Sequence, residues 1–536
     1  MAPKRVKSDA NISGAWTVLN LDVWHLIIEQ LNDRKDLCNA CLVSRAWFTM
    51  AMPHLYRVVP FIAQNHDVFD WERKKNIMKF AQDLSSRLMD DKNERLRAAV
   101  HELDFGRFDD RNLRYMEKRL VSLVASLPNL RRVRIKSQLS PKVLRALDKH
   151  HRQIPLYLLG EDGTRSSTEK NFQNVVGLAV QVNPSNETNG PNRRILSTQK
   201  LFFACPNLKS FSLHIVGGYG GCVRPMARFE RVYSFQFSGD ETFPPLEELS
   251  ISGYWMDDGE EQHWQNKLQW SKLRSLVLGP RLSADFLKVA EGYATSLKNL
   301  DVQIYTDGDY EGGGKCQPLE DFLRTFTSLE SLTVKGYHIP LGPIKNHPGL
   351  KHLCLHSFEK DGDDGHGGRG GQRPTLSVEQ LRDLDESFPY LETLEIDLYR
   401  DGKWPVDIFK ALATGFRRLR SLTLHLEVGI DDTRNVNLNV RTRNQQKQHY
   451  LHIMPILNKD SAKKAGKLLF GLRPPSSIME VLILKTGEPL RRFPQWEPGA
   501  YRFERRNTDT IEVHRPRTSG GVPRVVVHKR HFSAYY

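Results

Sequence analysis

A short segment, Leu-x-x-Leu-x-Leu, recurs along most of this chain and limits the folds that the chain can adopt. Its copies lie between residues 127 and 426, and weaker copies begin at Val100, at Val175 and near Met479, making about a dozen. The first leucines of the clear copies are Leu130, Leu208, Leu246, Leu273, Leu297, Leu329, Leu350, Leu391 and Leu419. One such unit cannot bury its apolar face alone, so the pattern indicates stacked repeats.

Each copy predicts a short strand, because its last two apolar residues are two apart and point to one side of an extended chain. Apolar residues at helical spacing lie between copies, as in Leu319, Phe322, Leu323 and Phe326 after Pro318. Ser377 and Gln380 predict a capping box, and Phe409, Leu412 and Phe416 after Pro405 predict another helix. The predicted order is therefore strand, loop, helix and strand again.

This repeat resembles the leucine-rich-repeat family, which implies a parallel sheet on the concave side of a solenoid and helices outside. Two features depart from the family: the Asn or Cys that commonly follows the strand is missing, and unit lengths vary. Leu329 and Leu350 are 21 residues apart, whereas Leu350 and Leu391 are 41 apart. We therefore expect an α/β fold with an irregular solenoid and inserted loops. The competing interpretation, a doubly wound α/β enzyme, does not predict a repeated strand segment.

Residues 16–59 have a different pattern, which predicts three short helices. Leu19, Val23, Leu26, Ile27 and Leu31 have the spacing of one amphipathic helix, and Leu37, Cys41 and Leu42 that of a second. A third helix through Trp47 is predicted to end before Pro53. Three helices in about 40 residues bury little surface by themselves, so the segment needs a partner.

The segment resembles the F-box family in Leu19-Asn20-Leu21-Asp22-Val23, in Leu31, in Asp36-Leu37, in Leu42-Val43-Ser44-Arg45-x-Trp47 and in Leu55-Tyr56-x-Val58. Asn20 and Asp22 stand where the family usually has Pro and Glu. The resemblance implies binding to a Skp-type adaptor, which links to a cullin and a ubiquitin-conjugating enzyme. The residues it implies for the adaptor interface or the core behind it are Leu19, Leu21, Val23, Leu26, Ile27, Leu31, Leu42, Val43 and Trp47. The alternative is a helical cap on the first repeat.

These patterns divide the chain into five predicted segments. They are a disordered basic start (1–14), an F-box-like module (15–60), a helical linker (61–95), the repeat solenoid (96–490) and a basic C-terminal extension (491–536). Residues 451–536 hold 16 Lys and Arg against 7 Asp and Glu, so a charge of +9 of the total +15 lies there. A solvated tail and a nucleic-acid-binding tail both fit that charge.

The composition predicts a cytoplasmic or nuclear protein. No run of about 18 apolar residues predicts a membrane span, and the start lacks the apolar core of a secretory signal. Six cysteines without framework spacing indicate a reducing compartment. Cys38 and Cys41 have no second pair at zinc spacing, so we expect them to be small buried side chains.

No motif in the sequence assembles a catalytic group, a metal site or a cofactor site, so we predict that the chain is not itself an enzyme and needs no cofactor. The outward residues of the strands are the predicted substrate surface, and His352 and His356 are expected to be ordinary surface histidines there. Acidic loops such as those at Asp257, Asp307, Asp361, Asp401 and Asp431 share one offset from their leucines and could form a rim for a basic peptide, although turn chemistry also favours Asp there. The predicted substrate-binding residues are Arg132, Arg134, Asp301, Gln303, Asp307, Lys335, His352, His356, Asp361, Glu395, Asp397, Asp401 and His425.

Together these patterns predict a substrate-recognition subunit of a Skp-cullin-F-box ubiquitin ligase that binds a protein substrate through its repeats. Two alternatives remain open. One is a repeat scaffold without a role in ubiquitin transfer, and the other is a nucleic-acid-associated factor that uses the basic C-terminal residues.

Overall fold

The leucines of the repeated segment occupy the buried positions of parallel sheets. The computed structural model divides the chain into two compact units, Met1–Pro245 and Leu246–Tyr536. The residues it describes are 21–31, 33–60, 71–104, 110–135, 141–151, 154–158, 171–182, 193–215, 234–254, 256, 259–279, 282–304, 317–357, 374–426, 455, 457–474, 476–486, 510–516 and 521–528.

The first unit begins with three helices and continues as an alternation of strands and helices. Its strands β1 to β6 run parallel, and each is hydrogen-bonded to the next in the chain. The elements are α1 (Leu21–Glu29), α2 (Arg34–Val43), α3 (Arg45–Arg57), β1 (Val58–Pro60), α4 (Trp71–Met89), α5 (Glu94–Ala99), β2 (Glu102–Asp104), α6 (Asp110–Ser126), β3 (Arg132–Ile135), α7 (Pro141–His150), β4 (Ile154–Leu158), β5 (Val175–Val182), α8 (Arg193–Phe203) and β6 (Ser210–Ile215).

The third helix does not end at Pro53, so that prediction was wrong. Pro53 lies inside α3, which continues to Arg57. A proline there removes one helical hydrogen bond and crowds the preceding turn. The residues just before it, Ala51 and Met52, are buried, and the helix continues past the proline.

The second unit repeats the same alternation. Strands β7 to β14 run parallel, each bonded to its chain neighbour. The elements are β7 (Glu248–Ser252), α9 (Glu260–Lys267), β8 (Ser275–Leu278), α10 (Ser283–Ala290), β9 (Asn299–Gln303), α11 (Gln317–Arg324), β10 (Ser331–Lys335), α12 (Leu341–Ile344), β11 (His352–His356), α13 (Val378–Ser387), β12 (Thr393–Leu398), α14 (Val406–Thr414), β13 (Ser421–Leu426), α15 (Lys459–Leu472), β14 (Val481–Thr486), β15 (Thr510–His514) and β16 (Arg524–His528).

Strand β10 illustrates how the repeat pattern generates this sheet. Leu332 and Val334 are fully buried, whereas Ser331, Thr333 and Lys335 on the opposite side are partly exposed. Helices of successive repeats contact one another, as α10 does α11 and α14 does α15, so they form a layer of their own. The predicted α/β architecture with a parallel sheet is therefore confirmed within each unit, and it is consistent with a leucine-rich-repeat arrangement.

Two of the predicted helix ends test the sequence reasoning directly. The capping box is confirmed, since the Ser377 side chain accepts a hydrogen bond from the Gln380 backbone and the Gln380 side chain accepts one from the Ser377 backbone. The helix predicted to include Phe416 ends at Thr414 instead. Phe416 has a positive φ of 49°, and its backbone N–H donates to Asp385 Oδ1 at 2.6 Å. Its side chain is buried from that turn.

Charged residues form a ladder at one edge of the second unit's sheet, directly before each of the strands β7 to β14 and directly after the antiparallel strand β15. From the second member onward, the backbone N–H of each member donates to the carbonyl of the preceding member. Glu330 lies between two cations, with Lys298 Nζ at 3.0 Å and Lys351 Nζ at 2.7 Å from its carboxylate. The ladder comprises Glu247, Arg274, Lys298, Glu330, Lys351, Glu392, Arg420, Glu480 and Arg515.

Two strands within residues 491–536 add to the second unit and were not predicted. β15 pairs with β14 and β16 pairs with β15, both antiparallel. Ile511 and Val513 of β15 are buried, and a Cβ added to Gly466 of α15 would collide with the Val513 side chain. The close approach of α15 to β15 thus depends on glycine at position 466. Among the described residues, no helix has the length and apolar character that crossing a membrane requires.

Candidate functional site

The N-terminal helices share a small apolar core. Ile28, Leu37, Ala40, Met50 and Ala51 are buried in it. Around them pack Trp24, Leu31, Cys41, Trp47 and Leu55, with the Trp24 and Trp47 ring centroids 5.4 Å apart. These contacts occupy one side of each helix, so the opposite side of each helix has a fixed orientation.

Hydrogen bonds at the helix ends set the angle between α2 and α3. Asp33 caps α2 by accepting from the Lys35 N–H at 2.8 Å, and Ser44 caps α3 by accepting from the Trp47 N–H at 3.2 Å. Ser44 is also the C-cap of α2, so a single residue separates α2 from α3. Arg34 Nη1 donates to the Val58 carbonyl at 3.0 Å, which connects α2 to β1.

Several large apolar side chains of these helices remain exposed to solvent. Leu42 is 84% exposed, and Val43 and Leu26 are each 60% exposed. Six such side chains form what we call the exposed apolar set: Val23, Leu26, Ile27, Leu42, Val43 and Phe48. Val23, Leu26 and Ile27 share one face of α1, because they are three and four residues apart. Exposed apolar side chains concentrated on one small module are candidates for a contact surface.

The exposed apolar set overlaps the predicted adaptor residues, but the two are not identical. Leu31 and Trp47 pack partly against the core, and Leu19 and the Leu21 side chain lie outside the described residues. Phe48 was missed, although it directly follows Trp47 in the motif. Cys38 is exposed and Cys41 is half-buried, so the prediction that both are buried was wrong. Burial, together with the neighbouring Cys38, raises the pKa of the Cys41 thiol.

A second candidate site lies on the side of β9 to β14 that faces away from the buried leucines. The parallel register aligns Lys335, His356, Asp397, His425 and Lys485 across five adjacent strands. A hydrogen bond joins His356 to Asp397 on the neighbouring strand. Seven polar residues on this side of the sheet form what we call the polar cluster: Asp301, Lys335, His356, Glu395, Asp397, His425 and Lys485.

Hydrogen bonds join the centre of the polar cluster. Asp397 accepts from His356 Nδ1 at 2.8 Å and from the Ser357 N–H at 2.7 Å, and all three residues are buried. Glu395 accepts from His425 Nε2 and from Lys485 Nζ, the latter at 3.0 Å. The rings of His356 and His425 stack with centroids 3.7 Å apart. The prediction of a surface histidine was wrong for His356, which is 1% exposed, because Asp397 and His425 both lie against its ring.

The charges of this cluster follow from burial and from these contacts. Burial by itself would raise the pKa of Glu395, but its hydrogen bonds with His425 and Lys485 and the Lys485 charge hold that pKa at about 2. Burial lowers the pKa of His425, and the hydrogen bond to Glu395 opposes that change. Burial raises the pKa of Asp301, which the Lys335 charge partly offsets.

Burial and exposure differ among the groups in and beside the polar cluster. Burial raises the pKa of the Cys354 thiol, the sulfur nucleophile nearest the cluster, so the reactive thiolate is strongly disfavoured. Among the described residues, no group of three His, Cys, Asp or Glu side chains is arranged to hold a metal ion. The side chains of Glu395 and Lys485 remain 21% and 31% exposed, so an anion and a cation are held in fixed positions at the surface.

The other predicted substrate residues are distributed more widely. Gln303 and His352 lie on β9 and β11 beside the cluster, with His352 exposed. Arg132 and Arg134 belong to the first unit, where both pair with Glu102, at 3.4 and 2.9 Å. Asp401 is exposed in the turn after β12.

Of the predicted acidic rim, Asp401 belongs to the described residues. Its other residues, Asp257, Asp258, Asp307, Asp309, Asp361, Asp363, Asp364 and Asp431, lie outside the described residues. Lys485 was missed, although the weak copy near Met479 places it at the position that His425 occupies one repeat earlier.

No protein-family model matches the chain, and no curated protein matches it. Among solved structures, the chain is similar to the leucine-rich repeat-containing protein LegL7 from Legionella pneumophila, with 13% sequence identity and a TM-score of 0.24. The similarity covers 76% of this chain and 90% of that one.

Proposed function

We propose that this chain is the substrate-recognition subunit of a Skp-cullin-F-box ubiquitin ligase in the cytoplasm or nucleus. Its N-terminal helices bind a Skp-type adaptor, and its repeats bind a protein substrate. The observation that carries the proposal is the exposed apolar set, which includes five of the nine residues that the F-box resemblance assigns to the adaptor. The chain has no catalytic role in this proposal. It increases the transfer rate by holding the substrate near ubiquitin that its partners have activated.

The exposure of Leu42 and Val43 supports binding over a purely structural role. A cap for the repeats would turn its large apolar side chains toward the sheet that it covers, yet these two point to solvent at the end of α2. Burying a leucine or valine side chain contributes about 1.5–3 kcal/mol, so a partner that covers both residues gains substantial affinity. On the substrate side, the mixed charges of the polar cluster fit a polar protein surface of defined charge pattern.

A second candidate is a protein-interaction scaffold whose N-terminal helices only cap the repeats. The contact that favours it is the Arg34 hydrogen bond to the Val58 carbonyl, which attaches α2 to the first strand. Both candidates keep the repeats as a binding surface. They differ in whether the exposed apolar set has a partner of its own.

A pull-down with purified Skp-type adaptor separates the two candidates. We expect wild type to bind and the Leu42→Asp/Val43→Asp variant to lose binding while keeping its circular dichroism spectrum, since both side chains point away from the core. Val406→Asp is the matched control, because Val406 is 53% exposed at the first position of α14. Failure of wild type to bind, or equal loss in the control, would reduce residues 16–59 to a cap and remove the ubiquitin assignment.

A further inference from the structure

Helix α15 exposes a row of lysines. Lys459, Lys463 and Lys467 repeat every fourth residue, and Lys464 lies beside them. At a rise of about 1.5 Å per residue, the three aligned side chains are spaced about 6 Å apart along one face. Lys459, Lys464 and Lys467 are exposed and Lys463 is partly exposed. We call these four residues the lysine stripe.

The lysine stripe does not stabilise the helix that carries it. Lys459 is the first helical residue, where the helix dipole repels a cation. Like charges four residues apart, as in Lys459 and Lys463, destabilise a helix. No stripe lysine forms an ion pair with any described carboxylate, whereas Lys298, Lys345 and Lys351 of the same unit do.

Other contacts hold α15 in place. The Asn458 side chain accepts from the Asp460 and Ser461 N–H groups, and the Ser461 hydroxyl accepts from the Asn458 N–H. Ala465 and Leu469 are buried on the opposite face. The lysine stripe is therefore exposed to solvent on a helix whose position does not depend on the lysines.

The charged side chains of the lysine stripe indicate which class of partner it binds. The large exposed apolar side chain of α15, Leu472, is at the last position of the helix, beyond the lysines. A protein partner needs apolar or aromatic anchors among its polar contacts, whereas a nucleic acid is bound through counterion release from its phosphates. We propose that the lysine stripe binds the phosphate backbone of a nucleic acid without reading its sequence. This proposal is independent of the proposed ligase role.

Fluorescence anisotropy of the full chain with a labelled mixed-sequence DNA duplex tests the proposal across a series of salt concentrations. The test variant is Lys459→Gln/Lys463→Gln/Lys467→Gln. Its matched control is Lys298→Gln/Lys345→Gln/Lys351→Gln, which removes the same number of positive charges from the same unit. Lys459→Arg/Lys463→Arg/Lys467→Arg keeps the charge and is the conservative variant.

We expect wild type to bind, the stripe variant to weaken binding at least about tenfold, and the slope of log affinity against log salt to become shallower by about 2.7. The control and the arginine variant keep the wild-type slope. Equal loss in the stripe variant and its control would overturn the proposal, because net charge alone would then explain binding. Absence of binding by wild type would also overturn it, as would binding that poly-glutamate abolishes at an equal concentration of charge.

Discussion

The imidazole rings of His356 and His425 stack at 3.7 Å although their strands, β11 and β13, are separated by β12, which carries Asp397. The Asp397 carboxylate bonds to His356 and to the backbone of Ser357, so it fixes the position of one ring against which the other packs. One buried acid therefore positions the paired rings at the centre of the polar cluster.

Replacing Asp397 by Asn should destabilise the protein. Both carboxylate oxygens accept hydrogen bonds, and an amide would place its NH₂ against one of those two donors. Hydrogen bonds to a charged group contribute about 1.5–3 kcal/mol each, and a loss of that size should appear in the urea midpoint. Asp401→Asn in the exposed turn is the control, and an equal midpoint for the two variants would contradict the role given to Asp397.

The stability of the protein should fall as the pH decreases below 6.5, in part because of His347. This residue is fully buried, and burial lowers its pKa to about 4. Between these pH values the unfolded chain binds a proton that the folded protein excludes, so the stability present above pH 6.5 is lost as the pH falls toward 4. The expected loss is about 3 kcal/mol, and below pH 4 it becomes constant.

The matched variant for this test is His347→Phe, which keeps an aromatic ring beside Phe326, whose centroid is 4.9 Å from that of His347. Chemical denaturation at pH 7.5, 6, 5 and 4 should show a shallower pH dependence for the variant. Identical slopes for the variant and wild type would mean that His347 does not titrate as described.

Two glycines of α15 should respond in opposite directions to alanine. Gly466→Ala places a methyl group against Val513 of β15 and should destabilise the protein by about 1–3 kcal/mol. Gly471→Ala meets no atom within 4 Å and should stabilise it by about 0.4–1 kcal/mol, because alanine is a better helix former. Thermal unfolding of the pair measures both effects. Equal changes would contradict the packing of β15 against α15.

Glu330 should contribute little to stability, and only at low salt. Hydrogen bonds from Lys351 and Lys298 hold its pKa at about 2, but the three side chains are 38–47% exposed. Exposed pairs contribute about 0.2–1 kcal/mol, and 1 M salt reduces the screening length to about 3 Å. Glu330→Gln should therefore cost stability in 20 mM NaCl and none in 1 M NaCl, relative to Glu291→Gln at an exposed position without a described ion pair. A cost that persists at 1 M would contradict this explanation.

The buried framework was the part that sequence could predict. Leu332 and Val334 are representative, since spacing alone assigns both to the covered side of a strand. The capping box at Ser377 is equally local, because all of its hydrogen bonds join residues within three positions. Each of these features is encoded in a few consecutive residues and does not depend on the rest of the fold.

The incorrect or missing predictions depend on distant residues. Phe416 leaves its helix because Asp385, 31 positions earlier, accepts its N–H. The His356 ring is buried by residues 41 and 69 positions away, Asp397 and His425, and neither pairing has a sequence signature. β15 and β16 carry no copy of the leucine segment, so the repeat pattern does not predict them. The Leu42 and Val43 side chains could be assigned to a surface only by the F-box resemblance, because their spacing alone fits a core equally well.

The pairing of each strand with its chain neighbour affects how the second unit is made in the cell. A new strand emerging from the ribosome finds the preceding strand already present, so its sheet partner never has to wait for a distant segment to be translated. The growing edge of the sheet is exposed only until the next repeat emerges. Translation can therefore assemble this unit from β7 to β14 in order, and the antiparallel pair β15 and β16 completes it after the last repeat has been synthesised.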